Sequence, residues 1–355
     1  MSVESGTTTE LTQLPGLEAP AVNTQPNPER FIERGPMKRL MLFSGRSNRP
    51  LADDIGAELG VELGEVALKT FANDEAYCRY GESIRGADVF IVQSGSPPVN
   101  DHLMEMLIMI QAAKLASAKR ITAVIPWFPY TRQDKKSKPR EPITAKLVAD
   151  MLEAAGVDRV LTMDLHAGQI QGFFSVPVDH MTALPLFAQY YRDKGLFGEK
   201  VVAVSPDAGR VKMARRFGQM LDADLAIMNK ARPEHDTAEV TEVIGRVRGK
   251  VAILSDDMIL TGGTLIAGAT ALLEAGATEV YACATHGLFS GNAFEKIASS
   301  DLSLVTVTDT VAIDPVNRPE KVDVLPVSRL LAETIMNVFG DESVSAIFAG
   351  ENQLF

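Results

Sequence analysis

The chain has 355 residues, 46% of them apolar and 23% charged, and a formal net charge of −11. That length suits two domains, each with a core of its own, and the acidic balance excludes a broad nucleic-acid surface. No apolar run approaches the length of a membrane span, and the N-terminus lacks the basic and apolar regions of a signal peptide, so a soluble, cytoplasmic protein with no membrane partner is the expectation.

Residues 1–36 are rich in Thr, Pro, Glu, Gln and Asn and poor in bulky apolar side chains. Such a segment cannot bury enough surface to order itself, so a disordered extension is expected there. Order is expected from Met37. Lys38–Phe43 reads as a strand, Leu51–Leu59 as a helix and Glu65–Phe71 as a second strand. A polar turn follows, Phe71-Ala-Asn-Asp-Glu75. An exposed Phe71 can stack on a base while Asn73 and Glu75 bond its edge. The same residues also suit a strand–turn–strand with Phe71 buried.

Val89–Gln93, a helix from Asn100 to Ser117, and Ile121–Ile125 continue an alternation of strand and helix, which implies a parallel sheet with right-handed crossovers. The next loop, Trp127 to Lys136, leaves a strand terminus, where open α/β sheets bind ligands. It opens a stretch that carries five cations, Arg132, Lys135, Lys136, Lys138 and Arg140. Arginine there offers paired donors to nucleotide phosphates, although a solvated basic loop has the same composition. After a helix over Ile143–Ala155, the strand Asp158–Met163 ends at Asp164-Leu-His166. On an extended backbone Asp164 and His166 face one side, where a carboxylate and an imidazole can hold a divalent metal. A polar loop is expected through Pro177-Val-Asp179.

A second half begins near Thr182, with a helix over Leu184–Arg192 and a strand over Lys200–Val204. That strand runs into Ser205-Pro-Asp-Ala-Gly209, a turn that can hold phosphate, and Asp207 can serve a metal. Leu225–Met228 is a strand leading to Asn229-Lys-Ala-Arg-Pro233 and a polar stretch that suits a mobile flap carrying Lys230 and Arg232. Val251–Leu254 is a short buried strand with Asp256 and Asp257 after it, then Thr261, Gly262, Gly263 and Thr264 at the start of a helix that runs to Glu274. A glycine turn at a helix N-terminus offers backbone N–H groups to a phosphate, and neighbouring carboxylates accept bonds from sugar hydroxyls. A ribose 5-phosphate has both ends. Beyond it, Val280–Thr285 and Leu304–Thr308 read as strands, Ser328–Val338 as the last helix and Ser343–Phe348 as a closing strand. Cys283 reads as a reduced core thiol. The segment from Gly86 through Val124 and that from Gly249 through Cys283 share one pattern of strand, helix and strand, an internal repeat.

These motifs, in this order, resemble the ribose-phosphate pyrophosphokinases, or PRPP synthetases. The resemblance runs from Met37 to Phe348 and rests on Phe71–Glu75, Tyr130–Asp134, Arg140–Lys146, Asp164–Phe174, Ser205–Asp207, Lys230–Pro233 and the loop after Asp257. It implies an α/β fold of two type I phosphoribosyltransferase-like domains, each a mainly parallel sheet flanked by helices and related by pseudo-symmetry. Their expected extents are 37–181, joined by the returning segment 341–355, and 182–340. It implies transfer of pyrophosphate from ATP to ribose 5-phosphate with Mg2+, in a homo-oligomer, a hexamer built from dimers.

By position, the resemblance gives Phe71, Asn73, Asp74 and Glu75 to the adenine of a neighbouring subunit's ATP, and Arg132 and Gln133 to ATP. It gives His166 and Asp207 to the metal, and Lys230 and Arg232 to the reacting phosphates. Arg232, Asp256, Asp257, Leu260, Thr261, Gly262, Gly263 and Thr264 go to ribose 5-phosphate. Four departures stand out: Leu260 where the family has an acid or another polar residue, Asp74 for a glycine, Ser175 for an acid, and an acidic flap at Glu234–Asp236. Leu260 leaves open a second reading, a weak or inactive paralogue that regulates an active partner. A phosphoribosyltransferase or PRPP sensor would need neither the Arg132 loop nor the flap.

Overall fold

A computed structural model of the chain describes residues 38–231 and 240–344. The N-terminal extension, the flap residues from Arg232 to Glu239 and most of the expected closing strand at Ser343–Phe348 lie outside the described residues.

The first half contains β1 (Leu40–Ser44), α1 (Arg49–Leu59), β2 (Val66–Thr70), β3 (Ala76–Tyr80), β4 (Asp88–Val92), α2 (Val99–Leu115), β5 (Arg120–Ile125), α3 (Thr144–Ala155), β6 (Arg159–Met163) and β7 (Val178–Met181). Strands β1, β4, β5, β6 and β7 form one sheet in the order 1-4-5-6-7, with every pairing parallel. Strands β2 and β3 form a separate antiparallel hairpin.

The second half contains α4 (Leu184–Asp193), β8 (Val201–Ser205), α5 (Val211–Met220), β9 (Asp224–Ala231), β10 (Val240–Ile244), β11 (Val251–Ile259), α6 (Gly263–Glu274), β12 (Glu279–Gly287), α7 (Ala293–Ala298), β13 (Leu304–Thr308), β14 (Val322–Leu325) and α8 (Ser328–Gly340). Its sheet runs 10-9-8-11-12-13-14 and is parallel except where β10 turns back on β9. The run 8-11-12-13-14 repeats the order 1-4-5-6-7, each with a two-strand excursion after its first strand. The internal repeat is therefore one of topology.

Local chemistry accounts for these elements. The strands β4 and β8 are buried at every position, the mark of parallel strands covered on both faces. In α3, Ala145, Val148, Ala149, Leu152 and Ala155 are buried at helical spacing. The side chain of Asn48 accepts the Leu51 N–H to start α1, and Gly60 ends it in the left-handed conformation.

Three expectations need correction. The strand β11 does not stop at Leu254 but carries Asp256 and Asp257 within it; polar residues at the carboxyl end of a central strand hid its length. The segment expected as a polar loop at Pro177–Asp179 contains β7, whose Val178 and Met181 pair with β6. The backbone at Asp164 is not extended: its φ of 33° turns the chain there.

One hydrophobic cluster joins the two halves. It takes Leu42, Leu51, Ile55 and Phe90 from around the first sheet, and Ala203, Phe217, Ile253, Leu331 and Ile335 from around the second. Helix α8 thus packs back on α1, and Arg120 on β5 reaches Asp341 just past α8 at 2.6 Å. Each fully buried Leu or Ile in this seam contributes about 1.5–3 kcal/mol. Cys283 sits in the same cluster and is buried. The result is two sheets held so that their carboxyl ends meet.

Candidate active site

Three loops converge where the sheets' carboxyl ends meet. The first is Pro126–Gln169, broken by α3 and β6, which brings Arg132, Asp134 and His166. The second follows β8 and brings Asp207 and Arg210. The third follows β11 and brings Leu260 to Thr264. Together they wall a cleft of about 950 Å³ and an adjoining cavity of about 320 Å³. His166, Asp207, Arg210 and Asp257 line both.

The smaller cavity is floored by the turn from β11 to α6. Gly262 has φ of 72° there, a conformation in which a side chain is strained. Thr261, Gly263 and Thr264 are exposed at the N-terminus of α6. The first intrahelical bond of the turn is from Ile266 N–H to Gly262 O at 3.0 Å, so the earlier N–H groups point outward as at any helix start. An anion at this point meets N–H donors and the positive end of the helix dipole.

Beside it stand two carboxylates of unequal exposure. Asp257 is 3% exposed and Asp256 27%. The Arg210 guanidinium bonds Asp257 Oδ2 at 2.6 Å and lies 3.7 Å from Asp256 Oδ1. His166 Nδ1 is 2.8 Å from the same Asp257 oxygen and 2.7 Å from Arg210 Nη2. An imidazole nitrogen cannot donate to the one and accept from the other. The ionised carboxylate is the stronger acceptor, which assigns the proton to Nδ1 and leaves Nε2 with a bare lone pair.

Burial works against ionisation of Asp257, but the His166 hydrogen bond and the Arg210 charge outweigh it and hold its carboxyl well below the usual range. Asp256 goes the other way. Burial, and then the charge of Asp257 beside it, push it up to about 8. The pair thus shares its ionisation unequally.

The loop that carries His166 is pinned from all sides. The Asp164 carboxylate accepts from Ala183 N at 2.8 Å and from the Thr285 hydroxyl at 2.6 Å. Asp164 is 4% exposed and committed to these structural bonds, so the expected Asp164–His166 metal pair does not form. Asp207 instead faces the cavity beside His166. One of its oxygens caps the following turn by accepting from Gly209 and Arg210 N–H groups at 2.7 and 3.0 Å.

Among the described residues no cluster of three or more His, Cys, Asp or Glu side chains forms a ready-made metal cage. The donor set of Asp207 and His166 suits an ion completed by water and by substrate oxygens, the usual habit of Mg2+.

The other expected residues divide clearly. Arg132 lines the smaller cavity with Leu260 through Thr264. Gln133 lies outside both, its side chain bonded to Thr144. Phe71, Asn73, Asp74 and Glu75 form the tip of the β2–β3 hairpin and line neither cavity. Phe71 is 43% exposed, so the buried-Phe alternative is not realised. Its ring meets Tyr77 edge to face at 5.6 Å, with Lys69 Nζ 5.2 Å from its centroid. Asp74 has φ of 66°, a conformation Asp tolerates better than most residues. Lys230 belongs to β9, opposite Thr241 in β10, and Arg232 lies outside the described residues.

Several residues of the site escaped the sequence reading. Asp134 accepts from the Gln169 amide at 2.7 Å, and Thr131 Oγ1 accepts the His166 N–H at 3.1 Å. Two imidazoles, the half-buried His180 and the buried His286, bond the backbone around His166. The available signal was position: His286, like Asp164, stands at the carboxyl end of a parallel strand.

Comparison with known proteins agrees with this geometry. Residues 40–156 match the N-terminal domain of ribose phosphate pyrophosphokinase, and residues 226–349 match the phosphoribosyl synthetase-associated domain. A ribose-phosphate pyrophosphokinase of Caldanaerobacter subterraneus is 52% identical over 309 residues, 87% of this chain and 98% of that protein. One from Fusobacterium nucleatum is 50% identical over 307 residues, 86% of this chain and 97% of that protein. The crystal structure of phosphoribosylpyrophosphate synthetase from Mycobacterium smegmatis superposes with a TM-score of 0.80 at 46% identity, covering 86% of this chain and all of that one. A helix-start anion cradle beside paired carboxylates, the repeated sheet order and these matches along nearly the whole described chain have one common explanation: the chain belongs to the ribose-phosphate pyrophosphokinase family.

Proposed function

We propose that the junction cleft transfers the β,γ-diphosphate of ATP to the C1 hydroxyl of ribose 5-phosphate, releasing AMP. The observation that carries this reading is the shared cavity: an anion cradle at Thr261–Thr264, the Asp256 carboxyl group for sugar hydroxyls, and Arg132, Arg210, His166 and Asp207 lining it with them. The 5-phosphate takes the N–H groups at the start of α6. Asp256, the more exposed acid, accepts from the ribose hydroxyls, and Asp257 keeps Arg210 and His166 in place behind it. The triphosphate lies in the larger cleft, where Arg210, Lys212 and Arg215 line one wall.

In-line attack on the β-phosphorus asks the protein mainly for positioning and charge neutralisation. We assign the cations that neutralise the transferring group to Lys230, on β9, and to Arg232, which lies outside the described residues. Mg2+, when bound at Asp207 and His166, neutralises charge on the phosphate oxygens. The chain's own part there is to keep Nε2 of His166 unprotonated and facing the cleft.

The hairpin tip at Phe71, Asn73, Asp74 and Glu75 is presented outward and serves the adenine of a neighbouring protomer's ATP. That reading implies a homo-oligomer, a hexamer of dimers. Gln133 supports the Arg132 loop in the ATP site. The two halves, 37–181 and 182–340, act as two domains; most of the segment 341–355 lies outside the described residues. Among the described residues no helix is long and apolar enough to cross a membrane, and a soluble substrate pair suits a cytoplasmic enzyme.

The substrate assignment is tested by calorimetric titration. Ribose 5-phosphate is expected to bind at least about 10²-fold more tightly than ribose, because the cradle's charge-assisted bonds go to the phosphate. Equal affinity for the two sugars would refute the assignment.

A further inference from the structure

Side chains from outside it hold most of the backbone of the segment that ends in His166. Asp164 N–H goes to Met181 O at 2.9 Å. Leu165 N–H goes to His180 Nε2 at 2.8 Å, and His166 N–H to Thr131 Oγ1. The carbonyls of Met163 and Asp164 face His286 Nε2 at 3.1 and 3.3 Å. Only the last of these contacts comes from the other sheet. His286 lies on β12, is fully buried, and packs its ring on Trp127 with centroids 4.6 Å apart.

The ring of His286 has a fixed orientation. Its Nδ1 is 2.9 Å from the Thr310 hydroxyl, which donates to it. The Met163 and Asp164 carbonyls beside Nε2 can only accept, which puts the ring proton there and leaves Nδ1 to accept from Thr310. Nε2–H is then the donor, shared by the Met163 and Asp164 carbonyls. Burial holds the ring's pKa below its ordinary value, so it stays neutral with one proton. The groups facing it are Asp164, whose carboxylate is spent on Ala183 and Thr285, and Asp257, whose carboxylate is spent on Arg210 and His166.

We infer that His286 is a positioning residue: by gripping the Met163 and Asp164 carbonyls from the second sheet, it sets the His166 ring against Asp257 so that Nδ1–H points at the carboxylate and Nε2 at the cleft. His166 stands on the first sheet and Asp257 on the second, so their 2.8 Å contact depends on a rigid tie between the sheets close to both. The turn at Asp164, with φ of 33°, does not hold itself in that conformation. His286 supplies the tie two residues before His166. The kinetic consequence rests on the proposed role of His166; the geometric one does not.

The test compares His286→Gln with His286→Asn in the full chain. A glutamine amide places its N–H where Nε2 stands and keeps the bond across the sheets. An asparagine amide reproduces only the Nδ1 side and keeps the bond to Thr310. Long-range ring 1H–15N correlations report the His166 tautomer directly, and only 5 histidines occur in the chain. Wild type and His286→Gln are expected to show one His166 species, protonated at Nδ1. His286→Asn is expected to show a mixture of tautomers, with kcat down about 10- to 100-fold and KM for ribose 5-phosphate within about 2-fold.

A His166 ring unchanged in His286→Asn would overturn the inference, whatever happened to turnover. So would equal behaviour of the two variants, which would make His286 a packing residue. If His286→Asn does not fold, Thr310→Val removes the hydroxyl that orients the ring at nearly constant volume. It is expected to give the same tautomer mixing, and an unchanged His166 ring there would likewise overturn the inference. Should wild type lack the transfer activity, the tautomer comparison still decides the geometry alone.

Discussion

Asp257 on β11 and His166 beyond β6 meet at 2.8 Å across the seam between the two sheets. One carboxylate oxygen receives both this imidazole and the Arg210 guanidinium, itself 2.6 Å away. The contact ties three loops from both sheets into one wall. It also turns the less exposed of two adjacent acids into a structural anion and leaves Asp256 facing the cavity.

Removing Arg210 should therefore cost stability as well as activity. Asp257 is 3% exposed and would lose its guanidinium partner. Loss of one member of such a pair is expected to cost on the order of 2–4 kcal/mol in Arg210→Ala. A double-mutant cycle with Asp257→Asn, read by denaturant unfolding, should give a coupling above about 1 kcal/mol. Additive losses would show that the pair is incidental.

Leu260 lines the smaller cavity, and its carbonyl accepts the Ser290 N–H at 2.7 Å. The anion cradle needs only backbone groups and the two threonine hydroxyls, so leucine leaves it intact. What leucine lacks is a polar group near the sugar. General-base help is worth about 10²- to 10⁴-fold, so Leu260→Asp is expected to raise kcat, with slightly weaker ribose 5-phosphate binding from the added negative charge. Steady-state kinetics at saturating Mg2+ and ATP decide this. No gain in a folded variant would make Leu260 a packing residue in a site that works without an acid there.

Asp309 makes a pH prediction away from the cleft. It sits after β13, accepts the Val327 N–H at 2.9 Å, and its pKa is pushed up to about 6 by burial, with Asp54 adding repulsion. A carboxyl raised in the folded state binds its proton more tightly there than in the unfolded chain. The fold is therefore unpenalised below about pH 4 and loses stability as pH rises through 6. Asp309→Asn keeps an acceptor for Val327 without the charge. It should raise the unfolding free energy at pH 8 by on the order of 1–3 kcal/mol, and leave it nearly unchanged at pH 4. An equal shift at both values would refute the account.

The sequence carried the parts of the site whose chemistry is local. Glycines and threonines before an apolar helix mark the cradle, and His166 and Asp207 follow strand termini in an α/β alternation. Residues that act through tertiary partners were not legible. Nothing near Asp257 in sequence announces that Arg210 and His166 turn it inward. Nothing near His286 announces that its partners are carbonyls of Met163 and Asp164, more than a hundred residues earlier. The edge strands β7 and β14 were missed because they are 4 residues long and each carries an Asp at its second position, with their order supplied by one neighbouring strand each. The exposure of Phe71 was open for a similar reason: a hairpin tip looks the same in sequence whether packed or projecting.

In the proposed reaction this junction moves a diphosphate as one unit. A 31P NMR time course of the full chain with ATP, Mg2+ and ribose 5-phosphate tests this. AMP and a C1-diphosphorylated ribose 5-phosphate are expected in equal amounts, with no ADP, and both signals are expected to be lost in Asp256→Asn. Accumulation of ADP, or no turnover by a folded protein that binds both substrates, would contradict it.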